Sequence, residues 1–442
     1  MISILFSNYL YSQKLSVTIS TSTNSQASLF LISGEKLTFI DSLKSLQNII
    51  EFHIDSEKGF YRIVFDKNKY FNFVYDEEDI EIITDANNIL DSLKILKSES
   101  NKIYYEFLKL NKDYKTKSEL LQLILIRYPK DDDFYQTTKF KLKQIQEEYN
   151  YFVNVTSQES PISFIAKYVK SAQLPIIDSE IPTEKQLDFL KTHSLDKVDF
   201  NNAELVNSDV FTNKSIEYLT YYRNPQLPKE LLEKEFTKAV DTLLNKAKVN
   251  QLVYQHITEY LIDGFKKFGF DKIIDYILEN YVIKDDLCLD EQTENSIQKR
   301  IDQSKLLAIG TKVPNFILND ENGNEINLSQ IESEKILLVF YSSQCPHCQE
   351  LLPQLNELAK SKKEKDLQVL AISFDTTKTD WLHFIKNNKL QNLINLSDLN
   401  GWNSKIAKNY FIYATPTMFL IDSGRKILGK PIMYKELVKQ LN

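Results

Sequence analysis

Cysteine is scarce in this sequence, which has three cysteines among 442 residues. Three are too few for a disulfide-stapled scaffold, and Cys288 lies far along the chain from Cys345 and Cys348. Glycine and proline are also infrequent, with nine and eleven residues. These shortages exclude collagen-like repeats and long disordered linkers. We therefore expect a chain that folds throughout.

Long runs of basic or apolar residues are missing as well. The 54 basic residues are outnumbered by 61 acidic ones, which gives a net charge of -7 and no electrostatic footprint for nucleic acid. No stretch approaches the roughly 18 consecutive apolar residues that a transmembrane helix needs. Residues 1–13 hold a short apolar stretch without a basic start. This segment fits either a truncated signal peptide, which implies export to the periplasm or cell envelope, or a first strand or helix.

Metal-ligand patterns are equally sparse. Cys345, His347 and Cys348 are too close together to complete a tetrahedral zinc site alone, and the sequence has no second CxxC or HxxxH pair. We predict no metal site, with zinc binding as an alternative. The other histidines are far apart in the sequence and show no ligand spacing: His53, His193, His256 and His383.

The length of the chain leads us to expect two or three domains. Three sequence patterns follow one another along it: strand-like, helical, and alternating strand and helix. Residues 14–85 contain short runs rich in Val, Ile, Phe, Tyr and Thr, which predict a small antiparallel β-domain. Residues 86–309 repeat apolar residues at three- and four-residue intervals, which predicts an all-helical middle region. Residues 310–442 alternate strand and helix patterns, which predicts an α/β domain with helices on both faces of its sheet.

The segment "KILLVFYSSQCPHCQELLPQ" places a CxxC pair where a buried strand gives way to a helix. Unpaired backbone N–H groups and the helix dipole stabilise a thiolate there, so Cys345 is the predicted attacking sulfur. His347 can add positive charge and lower the thiol pKa further, and Pro346 fits a first helical turn. Cys348 follows one turn later on the same face. It can therefore resolve a mixed disulfide formed at Cys345.

A second motif, "YATPTMFLID", lies about seventy residues further along the chain. Its Thr415-Pro416 step directly precedes a predicted strand, a place where a cis peptide bond can occur. The sequence leaves the isomer open. Together with the cysteine pair, this step completes a recognisable constellation.

These motifs resemble the thioredoxin fold and, within it, the redoxin or TlpA-like thiol-disulfide oxidoreductases. The similarity covers residues 310–442 and rests on a Gly-x-x-x-Pro-x-Phe start, "VFYSSQCPHC", a helix proline five residues after the second cysteine, "AISFD" and "YATPTMFLID". The resemblance implies that Cys345 is the nucleophile and Cys348 the resolving cysteine. It also implies that Thr415 and Pro416 form the loop that faces the dithiol and binds the substrate backbone.

Further expectations come from the same resemblance. The Cys345/Cys348 disulfide would be the redox group, with no added cofactor, and the partners would be protein thiols or disulfides and an upstream electron donor. The rest of the chain is more loosely similar to exported proteins of Gram-negative bacteria, in which a β-domain and a helical connector precede such a domain. These N-terminal regions are expected to position partners or to form a homo-oligomer. One departure is Gln344, where a Trp is common, and it affects partner contacts and redox poise.

Other functions fit parts of the pattern. Peroxiredoxins carry a proline seven residues before the peroxidatic cysteine and a Thr or Ser three before it. Ser342 meets the second condition but Leu338 fails the first, so a thiol peroxidase is an alternative. A non-catalytic binding protein on a redox fold is another, although the intact CxxC argues against it. Cys288 is expected to take no part in the chemistry.

The direction of electron flow is also open at this stage. The TlpA-like resemblance favours a reductase. A histidine between the two cysteines can instead stabilise the reduced form, which makes the disulfide more oxidising and is compatible with oxidase or isomerase activity.

Overall fold

A computed structural model describes residues 13–20, 26–54, 57–66, 69–85, 88–179, 181–287, 289 and 295–441. The expected signal segment lies outside these residues except for Gln13, which begins the first strand, and Cys288 lies outside them too. The chain divides into two compact units, with the boundary between Ile274 and Asp275.

The first unit begins with two four-stranded sheets in its described part. Their strand orders are β4-β1-β7-β8 and β3-β2-β5-β6. Neighbouring strands pair antiparallel, except that β1 and β7 run parallel. The predicted antiparallel β-domain is thereby confirmed. The strands are β1 (Gln13–Ser20), β2 (Gln26–Ser33), β3 (Lys36–Lys44), β4 (Ile49–Ile54), β5 (Gly59–Asp66), β6 (Lys69–Tyr75), β7 (Ile80–Asp85) and β8 (Lys94–Lys97).

The core of these sheets follows from the period of two along each strand. In β4, Ile50, Phe52 and Ile54 are buried, whereas the residues between them are exposed. Phe71 and Phe73 of β6 join the same apolar cluster. The alternation therefore places one face of β4 in the core.

Helices dominate the rest of the first unit, as the apolar spacing predicts. The one early exception is β8, which lies in the region predicted as helical; it pairs with β7, and its Ile95 packs against the core. The helices are α1 (Ile89–Ser92), α2 (Glu99–Arg127), α3 (Asp133–Glu159), α4 (Phe164–Ala172), α5 (Thr183–His193), α6 (Val210–Thr220), α7 (Lys229–Ala247) and α8 (Gln251–Lys267). Helix α9 (Asp271–Ile277) contains the boundary between the units and continues as a π-helix (Leu278–Ile283) that belongs to the second unit.

Two helices of this region begin directly after a proline. Pro182 and Pro228 directly precede α5 and α7, where a residue without a backbone N–H costs no helical hydrogen bond.

Across the described part of the chain, none of the helices combines the length and the apolar character required to cross a membrane.

The second unit is built on a seven-stranded sheet of order β10-β9-β13-β12-β11-β14-β15. Strand β11 lies in the interior of this sheet, where it runs parallel to β12 and antiparallel to β14. The elements of this unit are α10 (Asn295–Leu306), β9 (Ile317–Asp320), β10 (Glu325–Asn327), β11 (Lys335–Tyr341), α11 (Pro346–Ser361), β12 (Leu367–Ser373), α12 (Lys378–Asn387), β13 (Ile394–Ser397), α13 (Lys405–Asn409), β14 (Thr417–Asp422), β15 (Ile427–Gly429) and α14 (Tyr434–Leu441).

Strand β11 is almost entirely apolar because both of its faces are covered. Leu337 and Val339 contribute to one core cluster, and Leu338 and Phe340 to the cluster on the opposite face. Leu352 of α11 packs in the first cluster. Helices and loops thus cover both faces of the sheet, which confirms the predicted α/β domain.

The second unit also begins earlier than the change of sequence pattern at residue 309. Its first helix, α10, lies in the predicted helical region, yet its Gln303 side chain donates hydrogen bonds to the carbonyl groups of Tyr410 and Phe411. These contacts lie within the second unit. They explain why α10 belongs with the sheet that follows it.

Candidate functional site

The CxxC segment lies where β11 ends and α11 begins. Cys345 is the residue just before the helix, and Pro346 occupies its first turn, as predicted. The backbone N–H of Cys345 donates to the Ser342 carbonyl at 3.1 Å, and that of Cys348 to the Cys345 carbonyl at the same distance. The helix therefore starts at the first cysteine and carries the second on its first turn.

The two thiols differ in their exposure to solvent. Both are free, and Cys345 is half-buried, whereas Cys348 has no exposed surface. The Cys345 thiol donates a hydrogen bond to the carbonyl oxygen of Thr415 at 3.2 Å. Of the two sulfurs, the first is therefore the one open to attack a large substrate.

The same two thiols also differ in their electrostatics. Burial raises the pKa of Cys345, but hydrogen bonds from the Cys348 thiol and backbone N–H outweigh it and hold the pKa below its ordinary value. Burial raises the pKa of Cys348 to about 12, and its hydrogen bond to Cys345 acts in the same direction. The negative charge of the pair is therefore placed on Cys345.

His347 lies in the first turn of α11. Its side chain is exposed to solvent, and it assists the Cys345 thiolate through a backbone hydrogen bond. The donors that lower the Cys345 pKa are therefore mainly groups of Cys348 and the start of α11.

Thr415 and Pro416 lie beside the dithiol because of the sheet register. Strand β14 pairs antiparallel with β11, and Thr417 at its start is opposite Phe340, near the end of β11. The residues just before β14 therefore meet the turn that carries Cys345. The Thr415-Pro416 peptide bond is cis.

A buried carboxylate below the active-site turn was missed at the sequence level. Asp375 is 6% exposed and follows β12, which is parallel to β11. Its Oδ1 accepts hydrogen bonds from the Ser343 backbone N–H at 3.0 Å and the Ser343 hydroxyl at 2.8 Å. Its Oδ2 accepts from the Ser373 hydroxyl at 2.8 Å. Asp375 thus fixes the turn that precedes Cys345, and the "AISFD" motif was the available sequence clue.

Two other carboxylates of this domain, Asp320 and Glu332, lie away from the cysteine pair. Asp320 accepts hydrogen bonds from the backbone N–H groups of Asn322 and Asn324 in its own hairpin turn. Glu332 is exposed to solvent in the connection before β11. Both residues therefore belong to other parts of the domain than the turn that carries the cysteine pair.

The structure also gives the positions of Ser342 and Leu338, the two residues relevant to the peroxidase alternative, and bears on metal binding. Ser342 lies 3.4 Å from Asp375 through its hydroxyl, and Leu338 is buried in the middle of β11. Within the residues that the structure describes, no group of three or more His, Cys, Asp or Glu side chains is arranged to hold a metal ion.

Comparisons with known proteins place this region among redox proteins. The sequence model of the AhpC/TSA family matches residues 309–429. Thiol-disulfide oxidoreductase ResA of Bacillus cereus is 30% identical over 126 residues, which are 28% of this chain and 70% of that protein. ResA of Bacillus thuringiensis subsp. konkukian is 31% identical over 122 residues, covering 28% of this chain and 68% of that protein.

A solved structure is similar to the same part of the chain. A thiol-disulfide oxidoreductase from Bacteroides fragilis NCTC 9343 is 30% identical and covers 30% of this chain and 97% of that one, with a TM-score of 0.28. The region matched by the family model contains Cys345, Cys348 and the Thr415-Pro416 step. Through this region, the chain belongs to the redoxin and TlpA-like family of thioredoxin-fold thiol-disulfide oxidoreductases.

Proposed function

We propose that the protein reduces disulfide bonds in partner proteins through the Cys345/Cys348 dithiol, and that it does so in the periplasm or cell envelope. The observation that carries this proposal is a half-buried Cys345 at the start of α11, 3.2 Å from the Thr415 carbonyl, with a fully buried Cys348 one helical turn later. The pKa values of the two thiols are displaced in opposite directions, which agrees with this geometry. A half-buried thiol of low pKa and a fully buried thiol of high pKa suit the attacking and resolving roles.

The first step is attack by the Cys345 thiolate on one sulfur of the substrate disulfide. A bond forms between the Cys345 Sγ and that sulfur, and the substrate S–S bond breaks. The second substrate sulfur leaves as a thiolate and takes up a proton. The start of α11 favours this step because its N–H groups stabilise the attacking anion.

The second step is attack by Cys348 on the mixed disulfide. Its thiol loses its proton as the Cys345–Cys348 bond forms, and the first substrate sulfur leaves and becomes protonated. The substrate gains two electrons and two protons in total, and the enzyme ends as the disulfide. An upstream dithiol donor returns the two electrons, so that the cysteine pair is the redox group and no added cofactor is required.

The substrate-binding surface of this proposal is the backbone around Thr415 and Pro416. The Thr415 carbonyl lies 3.2 Å from the Cys345 sulfur, so a peptide bound along this backbone would lie beside the thiol. Strand β14 begins just after this step, at Thr417. An extended substrate segment could pair with this backbone and bring its disulfide over Cys345.

The direction of electron flow is tested by a redox titration of the Cys345/Cys348 couple against glutathione or dithiothreitol, alongside reduction of insulin by the full chain. A potential more reducing than that of protein disulfide isomerase, about -180 mV, would support a reductase. A potential near that of DsbA, about -120 mV, with oxidation of reduced insulin, would contradict the reductase assignment.

Peroxide reduction is the second candidate, because the family model that matches is the AhpC/TSA family. In that chemistry Cys345 would react with peroxide directly, and Cys348 would only resolve the product. Peroxide turnover that persists in the Cys348→Ser variant with a separate thiol donor would favour the peroxidase. We expect insulin reduction to exceed peroxide turnover.

Export and assembly complete the proposal. Cell fractionation and sequencing of the mature N-terminus test export: recovery with the periplasm and a shortened start are the expected results.

The β-rich region and helical middle region are proposed to position partners or to dimerise. Light scattering on the purified full chain tests this assembly, and a strictly monomeric protein would restrict these regions to partner positioning.

A further inference from the structure

Helix α10 contacts the loop that leads to the dithiol. Helix α10 ends at Leu306 and lies outside the region that the family model matches, residues 309–429. One of its side chains, Arg300, is only 10% exposed and forms an ion pair with Asp275 at 2.9 Å. The same guanidinium lies over the ring of Tyr413, 4.4 Å from its centre. All of these residues belong to the second unit.

A second residue of α10 holds the same loop one turn later. The side-chain amide of Gln303, which is 6% exposed, donates to the carbonyl groups of Tyr410 at 3.1 Å and Phe411 at 3.2 Å. The backbone of Phe411 lies in the left-handed region with φ of 48°, which is unfavourable for a bulky residue. Helix α10 therefore contacts the loop twice: Gln303 bonds to its backbone carbonyl groups, and Arg300 covers the ring of Tyr413.

This loop has little regular structure of its own. Helix α13 ends at Asn409 and β14 begins at Thr417, so the residues between them are not fixed by a helix or a strand ladder. Tyr413 lies two positions before Thr415, whose carbonyl accepts the hydrogen bond from the Cys345 thiol. The contacts from α10 therefore help to set the position of the backbone beside the nucleophile.

We propose that Arg300 is a positioning residue for protein substrates, acting through Tyr413 on the Thr415-Pro416 backbone. The proposal rests on the proposed function, because the loop matters only if an extended protein segment binds beside Cys345. Arg300 suits this role because a planar guanidinium can pair with Asp275 and cover an aromatic ring at once. The Tyr413 hydroxyl adds a 3.4 Å hydrogen bond to the same Asp275 carboxylate.

The test compares Arg300→Met, Arg300→Lys and the matched control Lys299→Met, all in the full chain. Lys299 is an exposed neighbour on the same helix. Reduction of insulin measures a substrate that needs the loop, and reduction of 5,5'-dithiobis(2-nitrobenzoate) measures one that needs only the thiol. Amide hydrogen exchange across residues 410–417 reports on loop order independently of turnover.

For Arg300→Met we expect the insulin KM to rise about tenfold, with faster exchange across the loop. Its kcat and the rate with the small disulfide should stay within about twofold of wild type. Arg300→Lys should recover only part of the KM, because an ammonium keeps the positive charge but lacks the planar guanidinium that covers the Tyr413 ring. Lys299→Met should match wild type.

Two results would overturn the proposal. One is an unchanged insulin KM and unchanged loop exchange in Arg300→Met. The other is an equal loss with both substrates together with a lower Tm, which would make Arg300 a purely structural residue. If wild type itself reduces neither substrate, the proposed function fails, while loop exchange in Arg300→Met still decides whether Arg300 orders the loop.

Discussion

Two buried sites, one in each unit of this protein, differ in how hydrogen bonds act on their titratable groups. In the first unit, the Tyr168 hydroxyl donates to Asp209 at 2.9 Å. Burial raises the pKa of Tyr168, and this hydrogen bond acts in the same direction. Burial also raises the pKa of Asp209, where it outweighs the same hydrogen bond. In the second unit, burial also raises the pKa of Cys348, yet hydrogen-bond donors hold the pKa of the adjacent Cys345 below its ordinary value.

The difference shows what a chemical site adds to a core. Burial alone favours the neutral form of an acid, and this effect makes the Tyr168 hydroxyl and the Asp209 carboxyl packing partners rather than reactive groups. A thiolate needs donors that compensate for burial, and the first turn of α11 supplies them to Cys345. We therefore expect changes in the second unit to alter the chemistry and changes in the first unit to alter stability.

The strongest test of this comparison is removal of the nucleophile. Cys345→Ser should lower insulin reduction to the rate of the buffer blank, because a serine hydroxyl is not a thiolate at neutral pH. The matched control is Cys288→Ser, which should retain wild-type turnover. Equal insulin reduction by wild type and Cys345→Ser would show that the chemistry lies elsewhere.

Removal of the resolving thiol should leave the first step intact. In Cys348→Ala, the attack by Cys345 still forms a mixed disulfide, but no neighbouring sulfur releases the substrate. We expect turnover to stop after one event per molecule and a covalent complex to accumulate on non-reducing gels. Sustained multiple turnover, with no trapped complex, would exclude Cys348 as the resolving cysteine.

Replacement of the buried carboxylate beneath the turn should have an intermediate effect. Asp375→Asn leaves an amide NH₂ facing a hydroxyl or N–H donor, because Ser343 and Ser373 donate to both carboxylate oxygens. We expect about 1–3 kcal/mol lower stability in urea denaturation and roughly tenfold slower insulin reduction.

The matched control for this carboxylate is Glu350→Gln on the exposed face of α11, which should change stability by less than about 0.5 kcal/mol. If Asp375→Asn behaved like this control in both measurements, Asp375 would have no role in fixing the turn before Cys345.

The smallest effect on chemistry should come from the first unit. The side chain of Asn101, fully buried on α2, accepts from the Val74 N–H at 2.8 Å and donates to the Val74 carbonyl at 2.7 Å. Asn101→Ala leaves both backbone groups unpaired and should cost about 1–3 kcal/mol of stability. Insulin reduction under native conditions should stay within about twofold of wild type.

The exposed neighbour Lys102 provides the control for this variant. Lys102→Ala loses only a surface ion pair with Glu99 and should be almost neutral in stability. A large loss of turnover in Asn101→Ala without a loss of stability would break the comparison between the units.

Local patterns in the sequence were sufficient for much of the site. Cys345, Cys348 and the Thr415-Pro416 step lie in short motifs at the ends of strongly apolar strands, and these strand ends meet in the sheet. The α/β domain and the β-rich start followed from periodicity. Such features depend on neighbours in sequence, which is why they can be predicted without coordinates.

Contacts between distant segments could not be predicted in the same way. Asp375 reaches Ser343 only because β11 and β12 pair in parallel register, and Arg300 reaches Tyr413 across more than a hundred residues of chain. These residues carry no periodic pattern of their own.

The most direct measurement of the central claim is site-resolved alkylation of the reduced full chain across pH, followed by mass spectrometry. Thiolates react and thiols do not, so a lowered pKa moves the half-maximal rate to lower pH. Cys345 should reach half of its maximal rate below pH of about 8.5, the ordinary cysteine value. Cys348, with its pKa raised to about 12, should remain unlabelled at that pH. Equal labelling of both thiols, or earlier labelling of Cys348, would contradict the assigned roles.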